Sequence, residues 1–231
     1  MGLIQRPSPN FDARSVPVDI LLLHYTGMTS AKAALDRLCD PAAKVSAHYL
    51  IDEDGTVWQM VDEANRAWHA GVSSWRGCRD INGASIGIEL VNPGHEFGYR
   101  AFPEAQMTAL EALATGILAR HAIIARNVIG HSDVAPMRKQ DPGELFDWAR
   151  LARAGVGFWT NFTDLPPAPK TTAELQTALA AIGYGLSVSG ILDEETKATI
   201  TAFQRHFRPL LCDGVPDDET GQRIAHLANQ V

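Results

Sequence analysis

Val18-Asp19-Ile20-Leu21-Leu22-Leu23-His24-Tyr25 carries four consecutive branched aliphatic residues and ends on an imidazole and a phenol. The run is far too short to span a bilayer, and with no polar residue between Asp19 and His24 it reads as a strand covered on both faces. Working outward, Ser46 to Asp52 and Thr56 to Val61 read as a hairpin about Asp54-Gly55, and Ser85 to Asn92 as a further strand. Helical spacing lies between them. Ser30 to Cys39 places Ala31, Ala34, Leu35 and Leu38 on one face, and Pro103 to His121 does so with Met107, Leu110, Leu113, Ala114, Ile117 and Leu118. Strands mixed with helices predict an α/β unit, a mixed β-sheet flanked by helices.

The periodicity fades after Trp159 and the chain reaches Pro166-Pro167-Ala168-Pro169, a stiff extended stretch of the kind that separates folded units. The expected organisation is a first domain over residues 1–160, a Pro-rich linker over 161–170, and a small all-α three-helix domain over 171–231. An internal repeat marks the second unit. Gly190-Ile-Leu-Asp-Glu-Glu-Thr196 returns as Gly214-Val-Pro-Asp-Asp-Glu-Thr220, each ahead of an amphipathic stretch, so Asp193 and Asp217 are expected N-caps. A helix from Ala173 to Ile182, stopping at Gly183, completes the three.

The net charge of −7 provides no basic footprint for nucleic acid or an anionic membrane surface. The three cysteines, Cys39, Cys78 and Cys212, are odd in number and outside any C-x-x-C pattern, which fits reduced thiols better than a disulfide framework. Residues 1–19 lack the basic start and apolar stretch of a signal peptide. A cytoplasmic location is expected, with the periplasm or cell envelope as the alternative for a mature or truncated form. No protein partner can be inferred.

Chemistry is sought among the eight histidines. Neutral imidazole binds zinc, and two histidines plus a carboxylate leave a coordination position open for water. His24 ends the apolar strand, and His131 follows the short apolar stretch Val128-Ile129-Gly130, so both sit where strand ends tend to carry sites. Asp133 and Asp141 both stand as third ligand. Asp141-Pro142-Gly143-Glu144 also reads as a capping box before a helix through Trp148 to Ala152, and local pattern favours that reading. Within Ser85 to Val91, alternation sends Ile86, Ile88 and Leu90 to one face and Glu89 to the other, beside Gly87, leaving room there for a substrate or a water; Glu89 is a candidate general base or a solvated glutamate. Lys139 is a candidate oxyanion stabiliser or half of an exposed basic pair with Arg138.

Five motifs in order then resemble the zinc N-acetylmuramoyl-L-alanine amidases, which share their fold with phage lysozyme-type amidases and peptidoglycan recognition proteins. They are Leu23-His24-Tyr25-Thr26, Val45 to Ile51 around Ser46-Ala47-His48-Tyr49, Ala67-Trp68-His69-Ala70-Gly71, Ser85 to Asn92, and Gly130-His131-Ser132-Asp133 running on to Arg138-Lys139-Gln140-Asp141-Pro142. The resemblance implies one zinc ion per chain held by His24, His131 and Asp141, with Asp141 doubling as helix cap and Asp133 structural. It implies Glu89 as general base, Lys139 as stabiliser of the transition state, and Tyr25, Thr26, Trp68, His69 and Asn92 as groove residues. The reaction implied is hydrolysis of the amide between the lactyl group of muramic acid, 1,6-anhydro forms included, and L-alanine. Ala47 stands where the phage and recognition-protein branches carry a catalytic tyrosine, which leaves that place in the mechanism to Glu89. Leu175-Gln176, Gly183-Tyr184, the two repeats and Ala202-Phe203-Gln204 resemble the three-helix peptidoglycan-binding domain. Peptidoglycan fragments or muropeptides are the implied partners. A non-catalytic peptidoglycan sensor on the same fold is the alternative, and such proteins usually lose a ligand position that is filled here.

Overall fold

The computed structural model describes residues 2–230. A six-stranded mixed sheet, in the order β1-β5-β4-β7-β3-β8, organises the first part of the chain. Its strands are β1 (Leu3–Gln5), β3 (Ile20–Tyr25), β4 (Tyr49–Ile51), β5 (Val57–Gln59), β7 (Ser85–Leu90) and β8 (Val128–Gly130); β2 (Phe11–Ala13) and β6 (Asn65–Ala67) form a separate antiparallel pair. β3 runs parallel to both neighbours, β7 and β8, and this central position is why Ile20 to Leu23 are all buried. β4 and β5 form the expected antiparallel hairpin, with Gly55 at φ 85° in its turn.

Alternation along the strands divides the core. Leu21, Leu23, Ile86, Ile88 and Leu90 pack against Met107, Leu110 and Ile117 of the long helix α4 (Glu104–Arg120) and against Trp148 and Leu151 of α6 (Trp148–Arg153). On the opposite face, Leu50 meets Ala34, Leu35 and Leu38 of α1 (Ala31–Leu38), whose N-cap Ser30 accepts from Ala33 N. The remaining short helices are α2 (Ile81–Ala84), α3 (Gly94–Phe97) and α5 (His131–Val134). β1 and β2 were not foreseen; they are three-residue, solvent-exposed strands with no periodicity to read.

The C-terminal part is three helices, α7 (Thr172–Ile182), α8 (Glu194–Phe207) and α9 (Asp218–Ala228). Asp193 and Asp217 cap α8 and α9 by accepting from Thr196 N and Thr220 N. The repeat has a buried counterpart. Gln176 Oε1 accepts from Gly190 N and its Nε2 donates to Thr196 Oγ1, while Gln204 repeats both contacts with Gly214 N and Thr220 Oγ1. Each glutamine thus pins the turn that starts the next helix, with Gly190 and Gly214 both at left-handed φ.

These helices share a core with the sheet. Ile20, Leu22, Ile129 and Trp75 lie in one buried cluster with Leu179, Phe203, Phe207 and Ile224. A polar latch reinforces it: Asp133, on α5, accepts from Tyr184 Oη at 2.8 Å, from His206 Nδ1 at 2.9 Å and from Gly130 N at 2.8 Å. Its three partners account for the structural role expected of Asp133.

One expectation fails. Asp141 does not cap a helix; residues 141–146 are turns, Gly143 has φ 84°, and the helix begins at Trp148 under Asp147, which accepts from Arg150 N. A residue at left-handed φ cannot lie in the first turn of an α-helix, so the Asp-Pro-Gly-Glu pattern could not nucleate one there.

Candidate metal centre

The face of the sheet that carries Leu22 also carries His24, and register pairs His24 with Glu89 on the adjoining strand. β8 delivers His131 at the first position of α5, and the irregular segment after α5 brings Asp141 back over the strand ends. His24 Nδ1, His131 Nδ1 and Asp141 Oδ2 form a near-equilateral triangle with sides of 3.0, 3.0 and 3.1 Å. Donor atoms around a tetrahedral zinc, each about 2.0–2.2 Å from the ion, lie roughly 3.3 Å apart, so a slight widening of the triangle around one ion suffices. Two imidazoles and a carboxylate are a donor set that suits zinc. Among the described residues this is the only such buried group of three. Asp133 faces the helical module and is no part of it.

Electrostatics keep His24 and Asp141 in ligating form. Burial, with repulsion from His131, pushes His24 down to about 4 against the pull of Asp141, so it is neutral at pH 7. Burial opposes ionisation of Asp141, yet His131 and His24 hold its carboxyl well below the usual range. Glu89 goes the other way. Burial and the Asp141 charge raise its proton affinity well above the ordinary value, Lys139 opposing, and its Oε2 is buried without a hydrogen-bond partner. Buried polar atoms are normally paired, and an unpaired carboxylate oxygen beside three converging donors is available to a water or a substrate.

A cleft of about 390 Å³ opens over this group, lined by His24, Tyr25, Thr26, Trp68, His69, Glu89, His131, Lys139 and Asp141 among others. Tyr25 is held by His95 Nδ1 at 2.9 Å, and Trp68 donates from its indole to Asp12 at 2.7 Å. Asn92 is different. It is fully buried, its amide bonded to Arg100 O and Gly94 N, and it shapes the turn after β7 instead of lining the cleft. The space beside Gly87 is also not open, because the His69 ring fills it: a Cβ on Gly87 would meet His69 Nδ1 at 2.5 Å. Arg138 and Lys139 both line the cleft, but Arg138 is tied to the carbonyls of Ala70 and Val72, so Lys139 is the less constrained cation of the pair. Arg37 of α1 also reaches the cleft; nothing in a helix's last turn marks such a role in sequence.

Comparison with known proteins places this geometry. The protein-family model described as N-acetylmuramoyl-L-alanine amidase matches residues 14–144, and that of a peptidoglycan binding domain matches residues 170–224. The chain is 39% identical over 250 residues to the N-acetylmuramoyl-L-alanine amidase AmiD of Escherichia coli K12, covering 97% of this chain and 89% of that protein. The solved complex of AmiD with the substrate anhydro-N-acetylmuramic acid-L-Ala-D-gamma-Glu-L-Lys superposes with a TM-score of 0.82 at 37% identity, over 95% of this chain and 92% of that one. The Pseudomonas aeruginosa AMPDH3 structure with an anhydromuramic pentapeptide has a TM-score of 0.81 at 34% identity, covering 97% and 95%.

Proposed function

We infer the activity from one premise, that this chain belongs to the N-acetylmuramoyl-L-alanine amidase family. It is a hydrolase that cleaves the amide between the lactyl group of N-acetylmuramic acid and L-alanine in peptidoglycan or its fragments. The observation that carries the residue roles is the donor triangle of His24, His131 and Asp141 with the unpaired Glu89 oxygen beside it.

In this reading His24, His131 and Asp141 hold one zinc ion. When bound, zinc supplies a Lewis acid for the scissile carbonyl and makes a water acidic enough to attack near neutral pH. Glu89, whose buried Oε2 has no other partner, would take the proton from the attacking water. Its raised proton affinity suits it to keep the proton through the addition step and hand it to the departing alanine nitrogen. Lys139, which lines the cleft, is the cation available to stabilise the oxygen that becomes negative as the carbonyl turns tetrahedral, an attraction that counts for more where water is excluded. Tyr25, Thr26 and Trp68 form walls that orient the sugar and the first peptide residues. The products are a muramic acid with a free lactyl carboxylate and a free stem peptide.

Substrates recognised in the solved relatives carry anhydromuramic acid, and we take soluble anhydro-muropeptides of wall recycling or turnover as the preferred class here. We propose a cytoplasmic location, which three separate free thiols support, and fractionation of cells making the native gene product decides it. The decisive assay incubates zinc-replete protein with soluble anhydro-muropeptides and with intact sacculi, and identifies released peptides by mass spectrometry. Peptides beginning at L-alanine, released faster from the soluble substrate, are expected. Binding without release would remove the catalytic assignment, and release from sacculi alone would remove the substrate preference.

A further inference from the structure

A histidine that binds a metal through one ring nitrogen carries its proton on the other, and that second nitrogen needs an acceptor to hold the tautomer and the ring plane. His131 meets this simply. Its Nε2 lies 3.0 Å from Ala70 O, and a carbonyl only accepts, so Nε2 bears the hydrogen and Nδ1 presents its lone pair to the donor triangle.

His24 has no carbonyl behind it. Its Nε2 lies 3.0 Å from another imidazole nitrogen, His69 Nδ1, and either ring could donate. The direction is fixed from the far end. Ser85 Oγ donates to Ile81 O at 2.5 Å, which spends its only hydrogen. Ser85 Oγ therefore accepts from His69 Nε2, 3.3 Å away. With its proton on Nε2, His69 has a lone pair on Nδ1, so the hydrogen between the two rings belongs to His24 Nε2. His24 Nδ1 is then left bare, facing His131 and Asp141.

We propose that His69 is a positioning residue of the metal centre, fixing the tautomer and ring plane of His24 through the chain Ile81 O, Ser85, His69, His24. The seat is built for it. Gly87 lies on a strand with ordinary backbone angles, yet any side chain there would collide with the His69 ring. Asn82 Oδ1 accepts from both His69 N at 2.9 Å and Ala70 N at 2.7 Å, so one amide clamps the dipeptide that backs both ligand histidines. His69 also lines the cleft, as its motif led one to expect, but both of its ring nitrogens are taken up by His24 and Ser85.

The proposal rests on the reading of His24, His131 and Asp141 as zinc ligands, and zinc affinity, measured by competition with a chromophoric chelator on the full chain, tests the two separately. Asp141→Asn reports on the metal site itself. His69→Leu fills the same space without an acceptor and is expected to weaken zinc binding about 10–100-fold, the usual effect of losing an outer partner of a ligand. His69→Asn, whose Oδ1 stands near the place of Nδ1, should stay within about threefold of the parent. Gly87→Ala should weaken zinc although it touches no ligand, because it displaces the ring that holds one. Zinc affinity of His69→Leu within threefold of the parent while Asp141→Asn loses the metal, or Asn no better than Leu, overturns the positioning role and leaves the metal site standing. Unchanged affinity in Asp141→Asn overturns the metal site. Long-range proton–nitrogen NMR of the zinc-loaded protein gives an independent reading: both His24 and His69 should carry hydrogen on Nε2, and a proton on His69 Nδ1 contradicts the proposal.

Discussion

Replacing Tyr184 by phenylalanine deletes one hydroxyl in the helical module and tests whether the two parts of the chain fold as one. The ring itself stays packed edge-on against Trp75 at 5.2 Å, so little apolar contact is lost. The hydroxyl is the only hydrogen-bond partner of Asp133 Oδ1 among the described residues, and both groups are buried. A hydrogen bond to a carboxylate contributes about 1.5–3 kcal/mol, and its removal leaves a buried acceptor unpaired, so a loss of about 2–3 kcal/mol is expected. For a chain of this length that corresponds to a fall in Tm of roughly 4–12 °C. All five tryptophans precede residue 160, whereas far-ultraviolet circular dichroism also sees α7, α8 and α9. Urea unfolding followed by both probes should give coincident transitions, displaced together by Tyr184→Phe. If tryptophan fluorescence keeps its midpoint while the dichroism shifts, or if the parent already shows two transitions, the shared core does not couple the parts and the reasoning is wrong.

Other expectations concern the site and its surroundings. Glu89→Gln should lower kcat by about 10²–10⁴-fold, the usual contribution of a positioned proton carrier, with zinc content unchanged; a loss of zinc would instead make Glu89 part of the metal site. Chelation should abolish peptide release and zinc should restore it, and activity surviving exhaustive chelation argues against any metal role. Glu63, gripped by Arg120, Tyr49 and His121, has its carboxyl lowered from 4.5 to about 2 despite burial. A depressed carboxylate stabilises the fold above its unfolded pKa and loses that contribution as pH falls through the folded value. After allowance for solvent screening, Glu63→Gln should cost about 1–2 kcal/mol at pH 7 and progressively less between pH 4.5 and 2; a pH-independent difference would show that the ion cluster is not the cause.

The central strands were legible because burial on both faces writes itself as an unbroken aliphatic run, and the long helices because their apolar residues recur on one face. β1, β2 and β6 were not, since three-residue strands owe their existence to a partner the local sequence does not mention. His24 and His131 stood out by position after apolar strands. The place of Asp141 in the donor triangle needed the family resemblance, because a residue carried on an irregular segment leaves no periodic trace, and the competing cap pattern failed on the φ of Gly143. Asn92 belongs to the right motif, but only coordinates separate a residue that faces the cleft from one that holds its wall. The union of sheet and helical module was hidden for a related reason: Trp75, Tyr184 and Phe207 announce burial without saying against what.

Register between β3 and β7 has a consequence for how such a protein can change. His24 and Glu89 are direct neighbours across parallel strands, about 4.8 Å apart in the hydrogen-bonding direction. The spacing between the proposed metal ligand and the proposed proton carrier is therefore a property of the backbone ladder, a ruler that no surface loop can stretch. A one-residue slip in either strand would throw one of the two onto the opposite face. The rim residues of α1 and of the 136–140 segment are attached to no such ruler, so sequence drift can retailor which wall fragment fits while the reacting pair keeps its gauge.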